Sequence, residues 1–529
     1  MNLKQIIFLI AFLEGGIVML LELSIPHVVA PILGNSLSLW GILIAFSAGS
    51  LAIGYFLGSF LSNSSNILWR LSLLFAVSFL ALFISSLLIQ FQNFYALFES
   101  EATTSYLVIF SGLILPTICM GASTPMVIEY LNSEHNNQKV SPGIVYSYST
   151  WGGVLFTLFT GYSFIPDLGL IASLNIALVL LALIALYLLI QDKHPWKIPM
   201  LVSLPVVLII HFLIDFSTNK NDKIKILEFT EGINGQLMVT EQHLNDSVYE
   251  RTLYINRMGQ TKVSITNNAS ISSYWSYPAI LKSLASINGK KKQDALVLGL
   301  GGGIVPFFLN DKSVLNFSID AVELDDKIIA LSKKYFFLPN SINVVEDDAR
   351  RYLNKNKVLY DLIVMDVFNG EIAPSHVLSL ESFEKVQKSL TKDGILLINF
   401  NGNISGEAGI SGRSLYATLT EAGFVVDILP TWEEGERYRN NIFIASYKPL
   451  DYSKRTFKVD FGSNGVFKEY DITENLLDID EIDFSDAVVI TDDFPLMEQL
   501  NQKAAQQWRE DYLESFTLNY RSMGIPLLK

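Results

Sequence analysis

An α-helical multi-pass membrane domain, a small antiparallel β-hairpin subdomain and an α/β, doubly wound, seven-stranded domain, in that order, make up the fold class this sequence predicts. Three observations carry it. Uncharged runs long enough to span a bilayer recur before Asn219. The residues just after them alternate apolar and polar. From Asp294 onward, short β-rich runs alternate with helical ones around a glycine turn, Gly299-Leu-Gly-Gly-Gly303.

The chain has 529 residues, half of them hydrophobic, with a mean hydropathy of +0.35. That is too apolar for an ordinary soluble enzyme and too long for one domain. The apolar excess falls in residues 1–217, where runs near 5–25, 39–61, 67–90, 105–130, 145–165, 169–190 and 198–216 predict about seven transmembrane helices. The first run has no cleavable small-residue site followed by a soluble region, so it reads as an anchor. Lysine and arginine are spread over both sides of such a bundle and give no orientation.

Residues 218–290 form the second part. After the polar linker Asn219-Lys-Asn-Asp-Lys223, the stretches starting at Lys225, Gly235 and Arg251 alternate as hairpin strands do, and a helix is expected from about Ser272 to Ile287. Residues 291–529 form the third. Its expected strands are Ala295–Gly299, Ser318–Glu323, Ile342–Glu346, Leu362–Asp366, Ile395–Phe400, Phe424–Leu429 and Asn441–Ser446, with a late hairpin. That is a Rossmann-like arrangement of the class that binds S-adenosylmethionine-type cofactors.

Charge and cysteine content exclude several functions. A net charge of −14 with no long basic run argues against a nucleic-acid groove and suits a cationic substrate. The single Cys119 excludes an internal disulfide and a cysteine zinc cluster, and the six histidines are scattered without ligand spacing, so no metal is expected.

The candidate pocket follows from strand ends. Gly299, Gly301 and Gly303 let backbone approach a ligand, although a plain tight turn reads the same way. A dinucleotide fingerprint would want glycine at Ile304. Glu323 lies about twenty residues after the turn, where a carboxylate accepts ribose hydroxyls; a solvated strand-end acid is the alternative. Asp348, beside Ala349, is placed to accept from an adenine amino group and equally to cap the following helix. Asp366 closes an apolar strand and is positioned to take a proton from an amine, against the competing reading of a buried structural acid.

At these residues the chain resembles the spermidine synthase family, the polyamine aminopropyltransferases, and within it the membrane-fused multi-pass branch. The membrane half carries the likeness in Glu14-Gly-Gly…Leu21-Glu22, in the run from Leu115 to Pro125, and in Tyr146…Trp151-Gly-Gly-Val…Pro166-Asp-Leu-Gly169. The rest carries it in Asn234-Gly-Gln236, in Arg251-Thr-Leu-Tyr-Ile-Asn…Gln260, in the pocket motifs, and in Thr491-Asp-Asp-Phe-Pro-Leu-Met497.

The resemblance implies a membrane-bound transferase that moves an aminopropyl group from decarboxylated S-adenosylmethionine to an amine acceptor, leaving methylthioadenosine. It puts Asp366 in the catalytic role and Gln236, Gln260, Gly299, Gly301, Gly303, Glu323, Asp348 and Ala349 on the cofactor, without metal. It also allows a homodimer, and places a multi-pass protein in the cell membrane with its catalytic domain in the cytoplasm.

Departures fall on the amine side. The aspartate that holds the aminopropyl amine is Ile304, the Tyr-His-Glu of the amine-binding helix is Tyr274-Trp275-Ser276, and the second acid after Asp366 is Asn369. Glu371, Glu407, Glu433 and Glu434 are candidate replacements. Methyl transfer from intact S-adenosylmethionine is one alternative. The other is a non-catalytic sensor or transporter of nucleosides or polyamines, suggested by Glu14, Glu22 and Glu129 in or near the spans.

Overall fold

The computed structural model describes residues 3–34, 36–63, 66–90, 101–133, 140–213, 224–232, 235–245, 247–266, 271–273, 281, 283–284, 292–310, 316–368, 374–430, 440–453, 456–460 and 467–522. The chain divides into two compact units, Met1–Asn221 with Thr517–Lys529, and Asp222–Phe516.

The first unit is helical. Its elements are α1 (Leu3–Leu33), α2 (Leu37–Leu61), α3 (Ile67–Gln90), α4 (Glu101–Ile109), α5 (Leu115–Ser133), α6 (Pro142–Phe159), α7 (Leu170–Gln191) and α8 (Lys197–Leu213). A π-helical turn at Phe110–Ile114 joins α4 to α5, and a π-helical segment, Thr160–Leu168, extends α6. Among the described residues, five stretches have the length and apolarity to cross a membrane: α1, α2, α3, Ala102–Ser133 and α7. Of the seven expected, α8 is shorter within the described residues and α6 is not among the five; α6 carries Ser147, Ser149, Thr150, Gly152 and Gly153.

Small residues let these helices meet backbone to backbone. A Cβ on Gly15 of α1 would collide with the carbonyl of Ser149 on α6, and one on Gly152 with the carbonyl of Phe12. That seam also pairs polar groups, with Ser149 Oγ donating to Glu14 Oε2 at 3.0 Å, and between α1 and α2 Ser47 Oγ donates to Glu22 Oε2 at 2.8 Å. Around them packs a cluster containing Ile17, Leu20, Leu21, Phe75 and Phe79.

The second unit opens with an antiparallel sheet in sequence order: β1 (Ile224–Gly232), β2 (Gly235–Asn245), β3 (Val248–Ile255), β4 (Met258–Thr266) and β5 (Ile271–Ser273). The helix expected from about Ser272 is corrected at its start, because Ser272 pairs with Ser264 of β4 and extends the sheet. Leu281, Ser283 and Leu284 are helical, and the remainder of that expectation lies outside the described residues.

A seven-stranded sheet follows: β6 (Gln293–Leu298), β7 (Phe317–Glu323), β8 (Asn343–Glu346), β9 (Tyr360–Met365), β10 (Leu390–Asn401), β11 (Val425–Pro430) and β12 (Asn440–Ser446), in the order β11-β12-β10-β9-β6-β7-β8. It is mixed, with β12 antiparallel to both neighbours. Each expected strand lies on one of these, within a few residues at the ends.

Burial on both faces accounts for the near-continuous apolar strands. Alternate residues split between two cores: Val297, Ala321, Val364 and Leu397 face one, and Leu296, Val322, Ile363 and Ile398 the other. Helices α9 (Ile304–Leu309), α10 (Asp326–Tyr335), α11 (Ala349–Lys355), α12 (Leu380–Ser389) and α13 (Ile410–Glu421) connect the strands. A two-stranded ladder, β13 (Thr456–Asp460) with β14 (Phe467–Asp471), then α14 (Ile472–Asn475) and α15 (Met497–Ser522), complete the chain.

Candidate active site

The glycine turn begins where β6 ends. Gly299, Gly301 and Gly303 all have positive φ (+87°, +51° and +78°), which side-chain-bearing residues rarely adopt. A Cβ on Gly299 would also strike the carbonyl oxygen of Asp366, so the turn lies directly against the end of β9. Gly303 is the N-cap of α9.

Glu323 braces this turn from the end of β7. Its Oε2 accepts from the Leu300 amide at 2.9 Å and its Oε1 from the Asp325 amide at 3.1 Å; Gly301 donates a further backbone bond. Burial raises the Glu323 pKa above the usual carboxylate range, and those backbone bonds oppose the rise. The next amide of the turn, Gly302, donates to Thr261 Oγ1 of β4 at 2.9 Å, which ties the antiparallel sheet to the loop.

Asp366 stands one residue past β9. Its amide donates to Leu298 O at 2.8 Å, and its Oδ1 accepts from Asn399 Nδ2 at 2.9 Å. Asp348 follows β8 and caps α11, accepting from the Arg351 amide at 2.8 Å, while its Oδ2 lies 3.1 Å from His376 Nε2. Ala349 is the first residue of α11. The capping reading of Asp348 therefore holds, and it leaves the side chain at the strand end.

Strand order does the rest. Because β9, β6, β7 and β8 are consecutive neighbours, Asp366, the glycine turn, Glu323 and Asp348 line one edge of the sheet in that order. Three strand spacings set its length at about 14 Å. This is the carboxyl edge, where open α/β sheets bind ligands.

The two glutamines sit on the antiparallel sheet. Gln236 is buried at the start of β2; its backbone exchanges hydrogen bonds with Asn256, and its side chain bonds to Glu231. Gln260, next to Thr261, turns its amide back to Met258 O at 3.3 Å.

Among the amine-side departures, Ile304 is buried with Leu237, Val239, Leu253, Ile328 and Phe336 beneath the antiparallel sheet. Glu407 pairs with Lys503. Asn369, Glu371, Glu433, Glu434 and Tyr274-Trp275-Ser276 lie outside the described residues.

Three features of the site escaped sequence reasoning. Asn399 was legible only as the polar residue inside the apolar run Ile395–Phe400. Thr261 carried no signal. Asp492, within a motif already singled out, proves to be a clasp: it accepts from Ser379 Oγ at 2.5 Å and from Arg350 Nη2 at 2.9 Å, both on segments that follow the pocket strands. Among the described residues, no group of three or more His, Cys, Asp or Glu is arranged to hold a metal ion.

Comparison with known proteins finds similarity centred on this site. Residues 276–406 match the model of the spermine/spermidine synthase domain. The match covers about a quarter of the chain and holds the glycine turn, Glu323, Asp348 and Asp366. The chain is 32% identical to the polyamine aminopropyltransferase of Vibrio vulnificus over 129 residues, 23% of this chain and 43% of that protein. It is 30% identical to the N-terminal histidine N-methyltransferase of Emericella nidulans over 26% of this chain and 24% of that protein. Against polyamine aminopropyltransferase 2 of Aquifex aeolicus the identity is 23%, over 87% of this chain and 91% of that one. The chain thus spans less than half the length of the first two relatives. Among solved structures, a probable spermidine synthase from Corynebacterium glutamicum superposes at a TM-score of 0.39 with 19% identity, covering 47% of this chain and 92% of that one.

Proposed function

We propose that the protein is a membrane-bound aminopropyltransferase that moves an aminopropyl group from decarboxylated S-adenosylmethionine to an amine acceptor and releases methylthioadenosine. The observation that carries this reading is Asp366, fixed at the carboxyl end of β9 by Asn399 and pressed against the glycine turn. An amine must lose a proton to attack, and a carboxylate held in one orientation beside the ligand edge is suited to accept it.

The nucleoside side fits such a co-substrate. Glu323 and Asp348 present carboxylates on adjacent strand ends, and Glu231 adds a buried oxygen without a hydrogen-bond partner. The co-substrate's sulfonium would supply the electrophilic carbon and the leaving group. The protein's own part is to seat the nucleoside against Gly299–Gly303, keep Asp366 aimed, and receive the proton.

The five apolar helices support a multi-pass protein of the cell membrane, with the catalytic unit in the cytoplasm where such a cofactor is made available. The acceptor is a small amine, and the burial of Ile304 argues that it is held differently from putrescine in the family at large. That same burial is the observation behind a second reading, methyl transfer from intact S-adenosylmethionine, since no acid at this position would hold an aminopropyl amine.

Calorimetric titration of the detergent-purified protein tests both. Binding of decarboxylated S-adenosylmethionine and methylthioadenosine but not of the intact form supports aminopropyl transfer, with the aminopropyl group lost to an added amine in wild type and not in Asp366→Asn. Preference for the intact form transfers the weight to methylation.

A further inference from the structure

Asp348 is the acid expected to take the amino group of an adenine, and its two carboxylate oxygens are held differently. Oδ1 accepts from the Arg351 amide at 2.8 Å, the capping bond of α11. Oδ2 lies 3.1 Å from His376 Nε2. An ionised carboxylate only accepts, so Nε2 carries the hydrogen and donates, and Oδ2 keeps a lone pair for a second donor. The cations nearby are committed elsewhere: Arg351 and Lys355 pair with Asp347, and Arg350 pairs with Asp492. Among the described residues, His376 is therefore the side chain that orients Asp348.

The backbone that carries His376 is anchored on both sides. It belongs to residues 374–379, between β9, which ends at Asp366, and α12. The amides of Val377 and Leu378 donate to Pro374 O at 3.0 and 3.2 Å, which closes a turn around the histidine. Val377 and Leu378 are buried in the core that holds Ile363 and Met365, whereas the imidazole is 59% exposed. On one side Ser375 Oγ accepts from the Glu498 amide at 3.4 Å, and on the other Ser379 Oγ donates to Asp492. Glu498, the second residue of α15, lies within electrostatic reach of His376. The acid that His376 holds is tied in turn to the neighbouring strand end, since the Asp347 amide donates to Glu323 O at 3.1 Å.

We propose that His376 is a positioning residue for the nucleobase end of the pocket: by donating to Oδ2 it fixes the direction of the remaining Asp348 lone pair, so that the pocket selects a purine bearing an amino group over one bearing an oxo group. An amino group donates to that lone pair, whereas an oxo group sets acceptor against acceptor. Without His376 the carboxylate is held by Oδ1 alone, with Asp347 beside it. His376 acts through Asp348 and touches no reacting atom. The identity of the ligand rests on the aminopropyl-transfer reading.

The test is calorimetry on the full chain in detergent with methylthioadenosine and methylthioinosine, its oxo counterpart, using wild type, His376→Ala, His376→Gln, Asp348→Ala and the double variant, with a melting curve for each. Wild type should prefer the amino ligand by about tenfold to a hundredfold, the worth of a hydrogen bond to a charged group. In His376→Ala that ratio should fall by about threefold to tenfold, through weaker binding of the amino ligand alone. Melting should stay level, because the imidazole is largely exposed. His376→Gln, whose amide nitrogen takes the place of Nε2, should keep most of the ratio. The double variant should discriminate no less than Asp348→Ala, as a residue acting through Asp348 requires. If Asp348→Ala unfolds for want of its helix cap, the two His376 variants still decide. A ratio unchanged in His376→Ala, an equal loss for both ligands, a loss in His376→Gln as large as in His376→Ala, or a wild type without preference overturns the proposal and leaves aminopropyl transfer standing. Failure of wild type to bind either ligand overturns both.

Discussion

Asn399 donates from Nδ2 to Oδ1 of Asp366 across 2.9 Å, and its own Oδ1 is buried without a partner. The amide thus sets the orientation of the carboxylate, from a neighbouring strand whose backbone is locked on both sides by β9 and β12. Asn399→Ala should lower kcat for aminopropyl transfer by about tenfold to a hundredfold, with a smaller effect on the affinity for methylthioadenosine. Asp366→Asn should cost more, about a hundredfold to ten-thousandfold, since it removes the proposed proton acceptor itself. Steady-state kinetics on the two variants, paired with product-binding titrations, separates orientation from binding; equal losses in both would count against Asn399 as a positioning residue.

Gly299 combines a φ of +87° with a side-chain direction filled by the Asp366 carbonyl. Gly299→Ala should therefore destabilise the second unit by about 1–3 kcal/mol or more and abolish nucleoside binding. Thermal unfolding and titration of the variant check this, and a stable variant that still binds would show that the turn has room to shift.

Burial raises the pKa of Glu231 to about 7, against the opposing charge of Lys327 and the hydrogen bond from Gln236. A carboxyl with a raised folded-state pKa favours folding most when protonated, below its unfolded value near 4.5. Stability should accordingly fall as pH rises from about 4.5 through about 7, by at most a few kcal/mol from this group. In Glu231→Gln that portion of the slope should flatten. Denaturant titrations at a series of pH values measure it, and identical slopes in the two proteins would contradict the assignment.

Asp492 clasps Ser379 and Arg350, and its own amide donates to Glu381 Oε2 at 2.9 Å. Since the Asp492 side chain is 46% exposed, Asp492→Ala should cost only about 1 kcal/mol in global stability. Its larger effect should be local, freeing the segment around Thr491–Phe494 from the start of α12. Faster proteolytic cleavage there, with little change in melting temperature, is the expected pattern.

Within the helical unit, Gly152 meets the Phe12 carbonyl of α1 with no space for a side chain. Gly152→Leu should separate α1 from α6, breaking the Ser149–Glu14 hydrogen bond and lowering recovery of folded protein in detergent. Size-exclusion profiles of the variant against wild type will register the change.

The seven-stranded sheet was legible because its strands are apolar on both faces and punctuated by acids and glycines, a pattern that neither amphipathic helices nor surface loops produce. Glu323, Asp348 and Asp366 were legible on the same ground: each is a carboxylate where an apolar run stops. Asn399 was not, since an amide inside a strand looks like a tolerated polar residue until the neighbouring strand is known. The strand at Ile271–Ser273 was missed because three residues of serine and isoleucine carry no periodicity; pairing with β4 creates it. Among the described residues α6 and α8 fall outside the five membrane-length apolar helices; both contain proline and serine, and α6 also glycine. What Glu323 braces could not be read from spacing, as the Leu300 amide it accepts from belongs to a turn more than twenty residues away.

The hydrophobic seam that joins β2, β3 and β4 to Ile304, Ile328, Leu331 and Phe336 crosses the line between residues 218–290 and 291–529. Any soluble fragment cut from this protein must therefore begin upstream of Ile224. One begun at residue 291 would carry every acid of the ligand edge and still leave that apolar face bare, and its glycine turn would have lost the hydroxyl of Thr261. For the same reason, gene shuffling that exchanges the hairpins for those of a relative would alter the wall of the pocket as well as its cover, making the first fifty residues after the helices a natural place for substrate preference to drift.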